Sequence, residues 1–303
     1  MISGANNFFC VEDSSGNVYH CSIKGKVLRL EEASYNPLCP GDVVEIEVVD
    51  EKVALILSLK QRRNCLKRLN IKTYTPQILG ANIDLILALT TPSSPPFRPR
   101  FVDRLIVEAE REDIPIVIVV NKWDLSNGAS DVELRLEDWE KLGYEVMRVS
   151  ARTGDGVAEL KRRVSSMTCV LVGQSGVGKS SLLNALEPSL CLKSRALSSK
   201  YDRGVHTTTK SELFHISNTE TDVIDTPGIR NFSLCGIEEA ELISYFREME
   251  EVGLTCKFGA SCRHEGEAGC AVLKGVEDGA ILQDRYESYL RIKEEIRMLK
   301  EKM

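Results

Sequence analysis

Gly173-Gln174-Ser175-Gly176-Val177-Gly178-Lys179-Ser180 fits the pattern G-x-x-x-x-G-K-[ST], the spacing of a phosphate-binding loop. The apolar run 167–172 before it reads as a buried strand, and 181–186 after it as a helix. Strand, glycine turn and helix are the setting the motif needs. The glycines let backbone N–H groups converge on a phosphate, and the helix N-terminus adds partial positive charge behind them. Lys179 is then placed to reach the β- and γ-phosphates and the Ser180 hydroxyl to ligate Mg²⁺, with Ser181 opening the helix.

Upstream of this loop the pattern alternates. Residues 83–89, 116–120 and 145–149 read as strands, and 100–111, 131–142 and 156–163 as helices. Strands alternating with helices predict a parallel sheet covered on both faces. Downstream, 211–216 and 221–224 read as strands, 198–210 as a polar loop, 238–252 as a helix and 276–303 as a mostly helical charged stretch. Its expected apolar face is Ile281, Tyr286, Leu290, Ile296 and Leu299.

The first 62 residues differ in character. Short β-rich runs at 8–11, 17–23, 26–30, 43–49 and 53–59 are separated by turn signals such as Pro40-Gly41-Asp42. About five such strands fit an OB-type or SH3-type barrel, which is either an oligonucleotide-binding module or a structural one. Lys60, Arg62, Arg63, Lys67, Arg68 and Lys72 follow with no acid among them. Such a run reads as a solvated linker, with phosphate contact as the functional alternative beside a nucleic-acid barrel. The expected modules are therefore a β barrel at 1–62, a P-loop α/β domain at 63–234 and a mostly helical domain at 235–303.

A phosphate loop does not name the base. Asn121-Lys122-Trp123-Asp124 matches N-K-x-D at the end of a buried strand, where open α/β sheets bind ligands. An Asp124 carboxylate can accept from N1–H and the 2-amino group of guanine; adenine offers neither donor and would leave it desolvated and unpaired. Asn121 is expected to order the loop and meet the base edge, and the Lys122 stem to cover the ring. Ser150-Ala151-Arg152 is close to the S-A-K element whose backbone N–H, here that of Ala151, donates to guanine O6. Asp225-Thr226-Pro227-Gly228 matches D-x-P-G: Asp225 holds Mg²⁺ through water and the Gly228 N–H senses the γ-phosphate. Thr208, in the polar loop between, is expected to close over Mg²⁺ when that phosphate is present. By composition the phosphate-loop pattern arises by accident in about one chain in a hundred of this length, and each of the other two in roughly one in twenty. Their coincidence at three strand ends leaves little to chance.

The order is unusual. A conventional GTPase runs phosphate loop, threonine switch, D-x-P-G, N-K-x-D, S-A-x; here the last two come first. A compact domain with neighbouring termini tolerates such circular permutation. It also leads the D-x-P-G switch straight into the C-terminal segment, so loss of the γ-phosphate is expected to move that segment.

Cys256, Cys262, His264 and Cys270 stand as C-x5-C-x-H-x5-C. Four soft or borderline ligands in so short a stretch can close around one tetrahedral Zn²⁺, although the spacing is not that of a C-x2-C finger. Free thiols and a redox pair are the alternatives. The other cysteines are scattered without metal-like spacing.

A permuted GTPase with a β barrel before it and a cysteine cluster after it resembles the ribosome small-subunit-dependent GTPase A family, RsgA. The likeness spans essentially the whole chain and is most specific over 121–270. It implies a GTP hydrolase acting late in maturation of the small ribosomal subunit, stimulated by that subunit, with barrel and C-terminal domain on rRNA. The resemblance also implies a zinc site with these four ligands. It bears on a gap as well. Ile229 and Arg230 stand where a glutamine would orient water in other GTPases. Gly204-Val205-His206-Thr207-Thr208-Thr209 matches the family's G-x-H-T-T-T element, which makes His206 the residue expected to orient water. An RNA-binding factor using GTP as a switch with negligible turnover is the alternative. A large-subunit permuted GTPase would lack this pairing of barrel and zinc module.

Hydrophobic and charged fractions of 43% and 28% are those of an ordinary globular chain, so a core of normal size is expected. A net charge of −6 argues against a protein that coats nucleic acid non-specifically, though not against a local basic patch. No run approaches a membrane span, and the N-terminus lacks a basic region followed by an apolar one. A cytoplasmic monomer with no membrane partner is the expectation, with GTP or GDP, Mg²⁺ and one structural Zn²⁺ bound.

Overall fold

The computed structural model describes residues 1–5, 7–24, 36–128, 130–193, 211–217 and 219–301. Eleven of the described strands form one sheet. Its parallel part comprises β8 (Leu85–Thr90), β9 (Ile116–Val120), β10 (Glu145–Arg148), β11 (Thr168–Gly173) and β13 (Thr221–Asp225), in the order β10-β9-β8-β11-β13. β8 is buried at every position, because helices lie on both faces and leave no polar side. Helices α1 (Pro99–Glu112), α2 (Ser130–Lys141), α3 (Val157–Arg163) and α4 (Lys179–Leu186) connect these strands, as the alternating pattern requires. The strand that carries the phosphate loop, β11, lies between β8 and β13. All the motif residues therefore emerge at one carboxyl edge.

β12 (Glu212–Ile216) runs antiparallel to β13 and joins the N-terminal strands to the sheet. These are β1 (Ser3–Ala5), β2 (Phe8–Glu12), β3 (Val18–Ile23), β4 (Val44–Asp50) and β5 (Val53–Leu59). They continue in the order β1-β2-β3-β5-β4, with β3 and β5 parallel and the other pairs antiparallel. The expected strand at 26–30 lies outside the described residues.

The basic run is not a solvated linker. Residues Cys65–Asn70 form β6, paired antiparallel with β7 (Thr75–Ala81). Its cations are mostly used internally: Arg62 holds buried Asp42 at 2.7 Å, Arg63 meets Asp84 at 2.6 Å and Lys67 meets Glu112 at 3.4 Å. Leu66 and Leu69 are both buried, with a register shift between Leu66 and Lys67, while Lys67 reaches Glu112 and Arg68 donates to Gln77 Oε1 at 3.0 Å.

The helix expected at 238–252 is broken. A single 3-10 turn at Leu242–Tyr245 precedes α5 (Arg247–Leu254). Phe246 between them is extended, and its fully buried ring packs edge-on to Tyr289 at 5.5 Å. The stretch 276–303 is likewise divided, into α6 (Ala271–Glu277) and α7 (Gln283–Lys300), by a turn in which Gly279 takes φ +74°. α7 buries Tyr286, Tyr289, Ile292 and Ile296, a face shifted from the expected one.

Among the described residues three large apolar cores result, with a small fourth cluster of Cys39, Ile78 and Ala81 beside β7. One lies under the N-terminal strands around Phe9, Val11 and Ile56. A second fills the sheet face under α3 and α4, with Leu171, Leu182 and Leu183. The third covers the opposite face and includes α1, α5 and α7: Val102 and Leu105 pack in the same cluster as Phe246, Tyr289 and Ile296.

Candidate nucleotide site

β11 ends at Gly173, and α4 begins at Lys179 after a turn in which Gly176 and Gly178 take φ +85° and +94°. Side chains rarely adopt that region. At Gly178 a Cβ would also lie 2.5 Å from Asn121 Nδ2, so the position needs glycine for space as well. Lys179 is buried, and among the described residues its ammonium makes only a long bond, 3.4 Å, to the Gly173 carbonyl. Burial lowers its pKa, and Asp225 acts in the other direction. Burial pushes the Asp225 carboxyl up to about 6 against the Lys179 charge, and its Oδ1 has no hydrogen-bond partner among the described residues. Buried polar atoms are rarely left so. The Ser180 hydroxyl, half-buried beside them, donates to no group in this set. The Asp225 carboxylate at the end of β13 and the Ser180 hydroxyl in the first turn of α4 are hard oxygens of the kind a hydrated Mg²⁺ takes.

The base-recognition segment is tied to this loop. Asn121 Nδ2 donates to the Val177 carbonyl at 2.9 Å, and its Oδ1 accepts from the Ala151 N–H at 3.0 Å. Asn121 thus clamps three segments together, and the Ala151 N–H expected to face the base is engaged by it. Lys122, at φ +59°, donates to the carbonyls of Ser94 (2.8 Å) and Gly176 (2.7 Å). Its side chain thus joins the loop at Ser94 to the phosphate loop. Asp124 accepts from the Ser150 hydroxyl at 2.6 Å and pairs with Arg152 at 2.7 Å. The Ser150 bond, aided by Arg152, holds its carboxyl below the usual range. The motif match alone gave no reason to pair Arg152 with Asp124; the signal was a cation two residues after Ser150, facing a carboxylate from another loop.

At the switch end, Thr226 donates through its N–H (3.3 Å) and hydroxyl (2.9 Å) to the Leu171 carbonyl, and the Ile229 N–H donates to Gly173 at 3.2 Å. A Cβ on Gly228 would lie 3.0 Å from Ser175 Cα. The D-x-P-G turn is thus pressed against the phosphate loop, and a change in one is felt by the other. His206 and Thr208 lie outside the described residues.

Cys256, Cys262, His264 and Cys270 come together with their donor atoms all within 4.8 Å of one another. His264 Nδ1 is 3.2 Å from Cys270 Sγ. His264 takes φ +56°, and its carbonyl accepts from the Tyr286 hydroxyl of α7 at 2.8 Å. Backbone N–H groups of Ala271 and Phe258 lower the Cys256 thiol pKa, favouring the thiolate that a metal takes. Three thiols and an imidazole at these separations fit one tetrahedral Zn²⁺ with a complete ligand set.

Phosphate loop, base loop and switch at one carboxyl edge, in this chain order, define a circularly permuted GTPase. Residues 59–235 match the family model described as RsgA GTPase. The small ribosomal subunit biogenesis GTPase RsgA of Christiangramia forsetii is 37% identical over 97% of this chain and 95% of its own length. That of Borrelia recurrentis is 37% identical over 99% and 95%. The crystal structure of YjeQ from Thermotoga maritima aligns with a TM-score of 0.72 at 30% identity, covering 97% of this chain and 96% of that one. YloQ, described as a circularly permuted GTPase, aligns with 0.69 at 30% identity over 98% and 93%. The chain belongs to the RsgA GTPase family.

Proposed function

We propose that the chain hydrolyses GTP in late maturation of the small ribosomal subunit, binds that subunit's rRNA and is stimulated by it. The observation that carries the guanine reading is the Asn121 clamp, which fixes Asp124 and the phosphate loop as one rigid frame. Asp124 exchanges its Arg152 contact for the guanine N1–H and 2-amino donors. The loop amides and Lys179 hold the triphosphate and stabilise charge on the transferring phosphoryl group. Ser180 and Thr208 would hold Mg²⁺, with Asp225 behind it through water, and the ion would supply positive charge against the phosphates. His206 orients the attacking water, in place of the glutamine the switch lacks. The four-ligand cluster is a structural zinc site.

The N-terminal module is read as an OB-like barrel. Its strand order, with β3 parallel to β5 between antiparallel pairs, supports that reading. Units at 1–62, 63–234 and 235–303 remain the working division. No helix among the described residues is long and apolar enough to cross a membrane. The site of action proposed for the chain is the cytoplasm, where it works as a monomer.

GTP turnover measured alone, with purified small subunits and with purified large subunits tests the whole reading. Stimulation by small subunits only is expected; equal turnover in all three would overturn it.

A further inference from the structure

A cleft of about 490 Å³ opens between α1, α7 and the segment after the D-x-P-G turn. Gln174 of the phosphate loop and Arg230 line it, together with Arg98, Arg100, Arg104 and Arg291. Arg100 and Arg104 are spent: they pair with Glu287 at 2.8 Å and Glu295 at 2.7 Å. The acids of the lining, Asp284 and Glu295, are spent on the same side of the ledger, Asp284 lying 3.5 Å from both Arg100 and Arg135. Arg98, Arg230 and Arg291 are exposed and make no ion pair or side-chain hydrogen bond among the described residues. They come from the loop before α1, the switch segment and α7. The cleft is thus a local cationic spot on a chain whose net charge is −6.

We propose that this cleft takes the phosphodiester backbone of RNA and reports its presence to the nucleotide site. Exposed arginines on three separate elements suit a polyanion running across an open groove better than a small enclosed anion. Acidic surface elsewhere repels RNA and leaves this position favoured. The reporting route is short. Arg230 is two residues beyond Gly228, which is packed on Ser175, and Gln174 presents to the same cleft a buried side chain with no hydrogen-bond partner among the described residues. A strand held by Arg230 therefore fixes the segment that contacts the phosphate loop. The two carbonyl-anchored ends of that segment, at Thr226 and Ile229, transmit the restraint.

The inference rests on the proposed small-subunit function, and the test separates the two. Full-length protein and the variant Arg98→Gln/Arg230→Gln/Arg291→Gln are compared in three measurements: basal GTP turnover, turnover with purified small subunits, and binding to a protein-free transcript of small-subunit rRNA across a salt series. The variant is expected to keep basal turnover and lose most subunit stimulation. Its rRNA affinity should fall roughly 10- to 100-fold, with a salt slope shallower by about one for each arginine removed. Wild-type protein that small subunits do not stimulate would overturn the proposed function. Wild-type stimulation matched by the variant would overturn the cleft alone. Loss of subunit stimulation with unchanged rRNA affinity and slope would also overturn it, and would assign the arginines to an acidic protein surface. Arg98→Lys/Arg230→Lys/Arg291→Lys, which keeps the charge, is expected to recover most of the affinity; failure to do so while folded would show that charge is not what the cleft supplies.

Discussion

The modules on either side of the GTPase sheet are attached in opposite ways. The C-terminal one shares a core with it. Asp103 of α1, fully buried, accepts from Arg135 (2.5 Å), Trp139 Nε1 (3.1 Å) and Arg285 of α7 (2.6 Å), and Arg285 reaches Glu248 of α5 at 2.7 Å. Both guanidiniums outweigh the burial that would raise the Asp103 pKa, and it stays lowered. The N-terminal one keeps its own core and meets the rest through mostly polar contacts: the Ser3–Glu212 pair, the Ala81 N–H donating to the Pro40 carbonyl (3.0 Å), Asn82 Nδ2 donating to the Gly41 carbonyl (2.9 Å), a small cluster of Cys39 with Ile78 and Ala81, and His215, held between Glu12 (2.5 Å) and Asp222 (2.6 Å). The difference teaches where a nucleotide signal can travel. A switch segment leads into the shared core on one side, whereas on the other the contacts are mostly hydrogen bonds at the module's edge and the large core is not shared.

The comparison is broken most severely by removing metal. Chelation should release one zinc per chain and cost the 254–270 region on the order of 10 kcal/mol of local metal-linked stability. Hydrogen exchange should rise there while α7 stays protected, held by Asp103. Unchanged exchange over 254–270, with no zinc found, would remove the metal from the account. Next in size is Asp103→Ala, which strands two buried guanidiniums and should cost about 3–5 kcal/mol in denaturant unfolding. A loss under about 1 kcal/mol would mean the C-terminal module is not locked to α1 by this network.

The smallest effect is at the N-terminal joint. Burial disfavours the charged imidazole of His215, but the hydrogen bonds it donates to Asp222 and Glu12 outweigh it and raise the pKa. Protonated His215 therefore contributes fully below the ordinary imidazole value of about 6.5 and is lost as pH rises through the higher folded value. An NMR titration should place His215 above the ordinary value, and Glu12→Gln should bring it back toward it. A titration unmoved by that substitution would unpin the joint.

Much of the fold was legible because its signals are local. Strand, glycine turn and helix at 168–186 lie in one short stretch, and each alternating element from β8 to β11 follows from periodicity that its own residues carry. The break at Phe246 was not legible. A continuous helical pattern gave no sign that one ring would be drawn into the Tyr289 contact and force extended backbone. The basic run at 60–72 was similarly opaque, since its partners Asp42, Asp84 and Glu112 come from three distant places.

What the sequence determined by itself is the chemistry on offer: a phosphate loop, an N-K-x-D carboxylate, a D-x-P-G turn and four metal-type ligands, each set by spacing along a few residues. Tertiary structure alone decided how they are joined. It placed Asn121 between the base and phosphate loops, gave Arg152 to Asp124, used up one cluster of cations and left Arg98, Arg230 and Arg291 without an ion pair among the described residues. The reason is physical. Backbone geometry is fixed by neighbours in the chain, whereas which charges are neutralised depends on which distant groups packing brings within a few ångströms.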